Sequence, residues 1–225
     1  MENKKIIHLS EMQTGLCIGT LLGDASMFVK TNGARGMQMC HCEKQKEYLE
    51  WKKEKLKPFF IAEKPSSYQS HGYENSQMSY NYRSIVHQDF TNIYGVMYRN
   101  VSGKRKKYVT RRVLNMLNDI GLLVWFLDDG CITKDREARI ATNGFSEQEQ
   151  HTIKKWFFQK YGIDATISFN GNNKSYFLRF RVAETNKLLK IFDKFKDEIP
   201  ECMLYKFSQR LYVRYSYNNK NKDIV

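Results

Sequence analysis

The chain has 225 residues, with 37 Lys and Arg against 24 Asp and Glu, a formal net charge of +13, 41% hydrophobic residues and only 3 prolines. This composition excludes a disordered or linker-rich chain and leaves room for one or two cored domains, while a field this positive attracts polyanions, nucleic acid first among them. The longest apolar run, Gly121 to Leu127, is far short of the roughly 20 residues that span a bilayer. The N-terminus "MENKKIIHLSEM" has no signal-peptide core and the 5 cysteines are odd in number and scattered, so no membrane partner and an intracellular, reducing compartment are expected.

The first local signal is Ser10 with Gln13, a capping-box pattern that predicts a helix starting near Glu11 within the apolar stretch from Met12 to Ala25. Gly15, Gly19 and Gly23 recur on one face of it. Glycine costs roughly 1 kcal/mol per helical position relative to alanine, so three on one face point to a second helix approaching closely there. Extended pieces follow at Ser26 to Lys30 and Arg35 to Cys40, then a charged helix from Glu43 to Leu56. Gln77, Ser79, Asn81 and Arg83 alternate with Met78, Tyr80 and Tyr82 as a half-exposed strand. A helix from His87 to Tyr98 and the basic run "GKRKKYVTRR" complete this half.

The pattern then starts again. Asp119 can cap a helix from Ile120 to Asp129, and extended pieces follow at Cys131 to Thr133 and Ala138 to Thr142. A second capping box, Ser146 with Glu149, opens a helix from Glu147 to Tyr161. Ser175, Arg179 and Arg181 alternate with Tyr176, Leu178, Phe180 and Val182, Phe177 breaking the polar face, and a helix from Thr185 to Phe195 closes the half. The shared order of patterns indicates an internal duplication.

Asp24 and Asp129 end the two apolar helices at equivalent points of that duplication. Taken singly, each is an ordinary helix-end carboxylate. Their symmetry across helices that pack through glycine instead outlines a metal site, because hard cations such as Mg²⁺ take carboxylate and phosphate oxygens.

The segments "CIGTLLGDA" (17 to 25) and "LLVWFLDDG" (122 to 130) resemble two copies of the LAGLIDADG motif, and "TNGFSEQE" (142 to 149) and "IPECMLYKF" (199 to 207) resemble further family segments. The chain is thus similar to a monomeric, two-motif LAGLIDADG homing endonuclease. That resemblance implies an α+β fold of two αββαββα repeats forming a saddle of antiparallel sheets over the DNA major groove. Repeats at 1–103 and 104–225 are expected, with a basic linker at about 103–112. It also implies cleavage of both strands of a long, asymmetric double-stranded target with Mg²⁺, Mn²⁺ being an expected substitute, in a bacterial or phage-infected cytoplasm or an organelle matrix.

Carried over by position, Asp24 and Asp129 hold the metals, Lys206 is the active-site lysine of the second repeat, and Lys107 or Lys106 is that of the first. Gln38 is expected to orient water, with Ala141 near the corresponding place, and Asp128 to pack or cap. Expected DNA contacts are Lys30, Arg35, Gln77, Ser79, Asn81, Arg83, Lys104, Arg105, Lys106, Arg139, Asn170, Lys174, Arg179 and Arg181. The alternatives are a maturase that binds intron RNA and a catalytically inactive DNA-binding regulator. Loss of either motif acid would favour them, and both acids are present.

Three remaining signals read as structural. Cys40, His41 and Cys42 lack the second ligand pair that zinc needs. Glu50, Trp51 and Lys52 mimic an acid-x-lysine element but lie in a helical pattern whose charges are expected on solvated surface. The tail "YVRYSYNNKNKDIV" is polar, with a mobile end expected.

Overall fold

The computed structural model describes residues 7–69, 78–171 and 175–207, so Gln77, Lys174 and the polar tail lie outside the described residues. The first half runs α1 (Glu11–Leu22), β1 (Ser26–Val29), β2 (Arg35–Cys42), α2 (Lys46–Lys55), β3 (Ser66–Gln69), β4 (Met78–Arg83) and α3 (Gln88–Met97). A hairpin, β5 (Tyr98–Val101) and β6 (Lys104–Lys107), and the short α4 (Arg111–Asn115) lead into the second half. That half runs α5 (Asp119–Asp129), β7 (Gly130–Ile132), β8 (Ala138–Ala141), α6 (Glu147–Tyr161), β9 (Thr166–Asn170), β10 (Ser175–Phe180) and α7 (Val182–Phe192). Two 3-10 segments, Asp193–Glu198 and Glu201–Lys206, follow. Each half is αββαββα, and the sheets share one antiparallel order, β1-β2-β4-β3 and β7-β8-β10-β9. The two repeats make the saddle that the resemblance implies.

Both capping boxes form: Ser10 and Gln13 exchange hydrogen bonds at the start of α1, and Ser146 and Glu149 do so at α6. The helix that carries the second acid is capped one residue earlier than expected. Asn118, not Asp119, accepts the Gly121 N–H, and Asp119 turns to Tyr161 and Lys194. The charged helix is broken by a 3-10 turn, Glu43–Gln45, before α2. The helix expected from Thr185 starts at Val182, which makes Arg181 its N-terminal flank instead of a strand residue.

The basic run is not an open linker. Ser102 and Gly103 both adopt positive φ, 51° and 76°, the backbone that a two-residue hairpin turn requires. Lys104 to Lys107 therefore pair with Tyr98 to Val101, and the expected 103/104 boundary falls in that turn. Helices α1 and α5 run through one core that includes Leu16, Ile18, Leu21, Leu122, Trp125, Phe126, Trp156 and Phe180. Among the described residues no helix is long and apolar enough to cross a membrane.

Candidate active site

The glycine face of α1 does what its spacing predicted. A Cβ at Gly15 would meet Asn118, one at Gly19 would stand 2.0 Å from the Gly121 carbonyl oxygen, and one at Gly23 would strike Asp128. The two helices thus run parallel, backbone against backbone, and their C-terminal ends emerge together. Helix α5 passes directly into β7 and α1 reaches β1 after three residues, which places Asp24 and Asp129 at the junction of the two halves.

Two lysines mark the same junction symmetrically. Lys107 Nζ donates to the Gly23 carbonyl at 3.0 Å, and Lys206 Nζ donates to the Asp128 carbonyl at 2.9 Å. Gly23 and Asp128 each precede a terminal acid, so Lys107 and Lys206 are structural equivalents. Lys106 lies on the exposed side of the hairpin opposite Arg99. Burial pulls the Lys107 ammonium below its ordinary range, and the surrounding carboxylates oppose that shift.

Burial, and next the charge of Asp128, raises the Asp24 carboxyl above its ordinary range, while Lys52, His41 and Lys206 oppose the rise. Asp129 is pushed up to about 7 by burial, then by Asp24 and Asp128, with Lys107 and Lys206 offsetting part of the rise. The two lysines donate to main-chain carbonyls and offset only part of the rise in these carboxylates. Hard oxygen donors held close in that condition fit a divalent cation of the Mg²⁺ or Mn²⁺ kind.

Asp128 is different. Its carboxylate is buried and accepts hydrogen bonds from Lys52 Nζ at 2.7 and 3.0 Å, Tyr48 Oη at 2.9 Å and the Asp24 main-chain N–H at 3.3 Å. Of the packing or capping expected of it, packing is what the side chain does, lying against Gly23. Ligand atoms of Asp24, His41 and Asp128 lie within 4.8 Å of one another, but the Lys52 ammonium, 3.0 Å from His41 Nε2, already fills that trio with a cation. Lys52 corrects the solvated-surface expectation: it is fully buried, whereas Glu50 is half-buried against Tyr82. Burial, and next Lys52, depresses His41 to about 3. Strand alternation puts His41 on the buried face and Cys40 and Cys42 on the other, so the three do not converge on one ion.

Register sorts the remaining expected residues. On the exposed face of the first sheet, Gln38 stands between Ser26 and Arg83, and Arg83 Nε donates to Gln38 Oε1 at 2.8 Å. Asn81 and Ser79 continue that face, with Asn81 accepting from Ser66. In the second sheet the matching row is Cys131, Arg139 and Arg179. The counterpart of Gln38 is therefore Arg139, not Ala141, which pairs with Phe177 one step along. Arg139 lies over the Phe177 ring, 5.4 Å from its centroid. Arg179 forms a bidentate pair with Glu137 at 2.7 and 2.9 Å.

Arg35 departs from the DNA-facing expectation. It shares the parity of Met37 and Met39, and its guanidinium lies 4.4 Å from the Tyr94 ring centroid on the helix side of the sheet. Lys30, Lys104, Arg105, Lys106 and Asn170 are exposed at strand ends, on the hairpin or at the β9 edge.

A profile of the LAGLIDADG DNA endonuclease family matches residues 14–188, from the glycine helix into α7. The chain belongs to this family. It is 27% identical over 135 residues to a probable intron-encoded DNA endonuclease of Mycosarcoma maydis, an alignment covering 59% of this chain and 96% of that one. It is 26% identical over 110 residues to cytochrome b mRNA maturase bI2 of Saccharomyces cerevisiae, covering 48% and 26%. The chain spans less than half the length of the other curated relatives it matches. Its fold is that of the homing endonuclease I-WcaI solved bound to its DNA recognition sequence, with a TM-score of 0.77, 21% identity, and coverage of 90% of this chain and 88% of that one. The segments that resemble the family's motif, 17–25 and 122–130, carry Asp24 and Asp129, the two acids at the ends of α1 and α5.

Proposed function

We propose that this chain is a site-specific homing endonuclease that cuts both strands of a long, asymmetric DNA target by metal-dependent phosphodiester hydrolysis, one chain to one duplex. The observation that carries the reading is the symmetric junction of Asp24 with Lys107 and Asp129 with Lys206 at the ends of glycine-packed helices, between two sheets with unlike exposed faces. Asp24 and Asp129 would hold divalent cations, which supply charge stabilisation at the scissile phosphates when bound. Lys107 and Lys206 hold positive charge beside the carboxylates, where negative charge grows on a phosphate during cleavage. Gln38 with Arg83, and Arg139 with Arg179, present amide and guanidinium groups to base edges. The unlike rows on the two sheets call for an asymmetric site instead of a palindrome.

Sequencing the cut ends selected from a randomised duplex library in Mg²⁺ tests this. One recurrent asymmetric site is expected, and failure to cut any site rejects the reading. The likeness to a maturase supports a second reading, intron RNA binding. Retention of a structured intron RNA at nanomolar protein without DNA cleavage would favour it.

A further inference from the structure

The two halves differ most where their symmetry is otherwise closest. Asp128 and Gly23 are equivalent, and the same lysine contact reaches each carbonyl. Helices α2 and α6 begin at the same distance beyond His41 and Thr142, which makes Lys52 and Ile153 equivalents, both fully buried. Thr142 donates to Gln150 within its own half. The first half thus supplies a buried lysine to Asp128, whereas the second has a buried isoleucine at the matching helix position and Gly23 stands where Asp128 would.

We propose that the Lys52–Asp128 pair is a positioning unit that fixes Asp24 through its main-chain N–H, with no matching side chain at Gly23, so that the two strand cuts depend on it unequally; this rests on the endonuclease reading above. An ammonium has three donors and no acceptor. Lys52 turns its donors to the Asp128 carboxylate and to His41 Nε2, and the side chain is fully buried. Buried in this way it does not reach substrate, so Lys52 acts through what it holds. Asp128, fixed by Lys52 and by Tyr48, receives the main-chain N–H of Asp24 on Oδ2. Gly23 has no side chain that could do the same for Asp129.

The same donor count sets the His41 ring. With Lys52 donating to Nε2, the ring proton sits on Nδ1, 3.0 Å from Gln45 Oε1 and 3.8 Å from Asp24 Oδ2. Gln45 Nε2 then donates to Tyr205 Oη at 2.8 Å, next to Lys206. The unit therefore reaches from Asp24 to the segment that carries the lysine of the other half.

The test is cleavage of a supercoiled plasmid carrying the selected site, with each strand's cut resolved, by the wild type, Lys52→Met and Lys52→Met/Asp128→Leu. Replacing a buried ion pair with apolar side chains commonly preserves stability, whereas removing one partner does not. The double variant is expected to melt near the wild type and bind the site equally, yet to slow one strand by about tenfold to a hundredfold more than the other, the scale of a small misplacement at a reacting group. Nicked circles with the same strand always intact should accumulate. A double variant that cuts with the wild-type strand ratio, or slows both strands alike, overturns the proposal.

Absence of cleavage by the wild type would strike the endonuclease reading instead. The unit then still faces ¹⁵N spectroscopy of the full chain without metal or DNA. His41 is expected as the Nδ1–H tautomer in the wild type, with a pyridine-like Nε2 resonance. A wild-type ring protonated on Nε2 alone overturns the unit, whether or not the double variant folds.

Discussion

Adding one methyl group at Gly19 tests the helix contact on which the junction depends. The new Cβ would lie 2.0 Å from the Gly121 oxygen, 2.7 Å from its carbonyl carbon and 2.9 Å from its Cα. All three are backbone atoms, so no side chain can swing away. Restoring ordinary contact requires α1 and α5 to part by more than about 1 Å, the gap between these distances and the van der Waals optimum. Overpacking of this kind costs about 1 to 3 kcal/mol, toward the upper end when backbone must move. The better helix propensity of alanine offsets about 1 kcal/mol of that. For a chain of this size each kcal/mol moves Tm by about 2 to 4 °C, so a net loss of about 2 kcal/mol in Gly19→Ala lowers Tm by about 4 to 8 °C. Gly95, in the last turn of α3 with nothing within 4 Å of its would-be Cβ, is the control: Gly95→Ala should gain about 0.4 to 1 kcal/mol through the unfolded chain. Thermal and urea unfolding, followed by circular dichroism, measure both. A Gly19→Ala protein that melts at or above the wild type refutes the close contact.

Three further outcomes are expected. In metal-free buffer, Asp129, raised to about 7 against an ordinary 3.8, keeps its proton in the folded chain where the unfolded chain has lost it; its contribution to stability is therefore full below the ordinary value and lost as pH rises through about 7. Asp129→Asn should remove that decline in urea titrations across this window, and an unchanged slope refutes the assignment. Arg179→Ala should cost roughly 1 to 3 kcal/mol of specific binding and relax base preference in one half-site, whereas Lys104→Ala should weaken all sequences alike. Competition binding against random DNA separates the two, and equal losses for Arg179→Ala would make it a phosphate contact. Sedimentation at low micromolar protein should find one chain on one duplex, because the glycine face is already occupied within the chain, and a two-chain complex would contradict this.

The parts of the fold legible in the sequence were those specified locally. Capping boxes at Ser10 and Ser146 and the glycine spacing of α1 each need only a few neighbouring residues, and all form as read. The parts not legible depend on turns or on distant partners. The tight turn at Ser102 and Gly103 sets the hairpin register and thereby selects Lys107 over Lys106. Strand pairing, not spacing from the acid, makes Arg139 the counterpart of Gln38. Arg35 is turned inward by parity with Met37 and Met39, at the start of a strand where the sequence shows no alternation clear enough to place it. Lys52 reads as helix surface because its neighbours are charged. The available clue was Asp128, a carboxylate at the end of an apolar run, which needs a buried cation from elsewhere in the chain.

The most direct measurement is cleavage by Asp24→Asn and Asp129→Asn beside the wild type, on the selected duplex in Mg²⁺, with binding measured on the same samples. Affinity that comes from the sheets and chemistry that comes from the carboxylates predict loss of double-strand cleavage in each variant with binding kept within about tenfold, or about 1.4 kcal/mol. Either variant cutting both strands at the wild-type rate would contradict the junction of Asp24 and Asp129 as the active site.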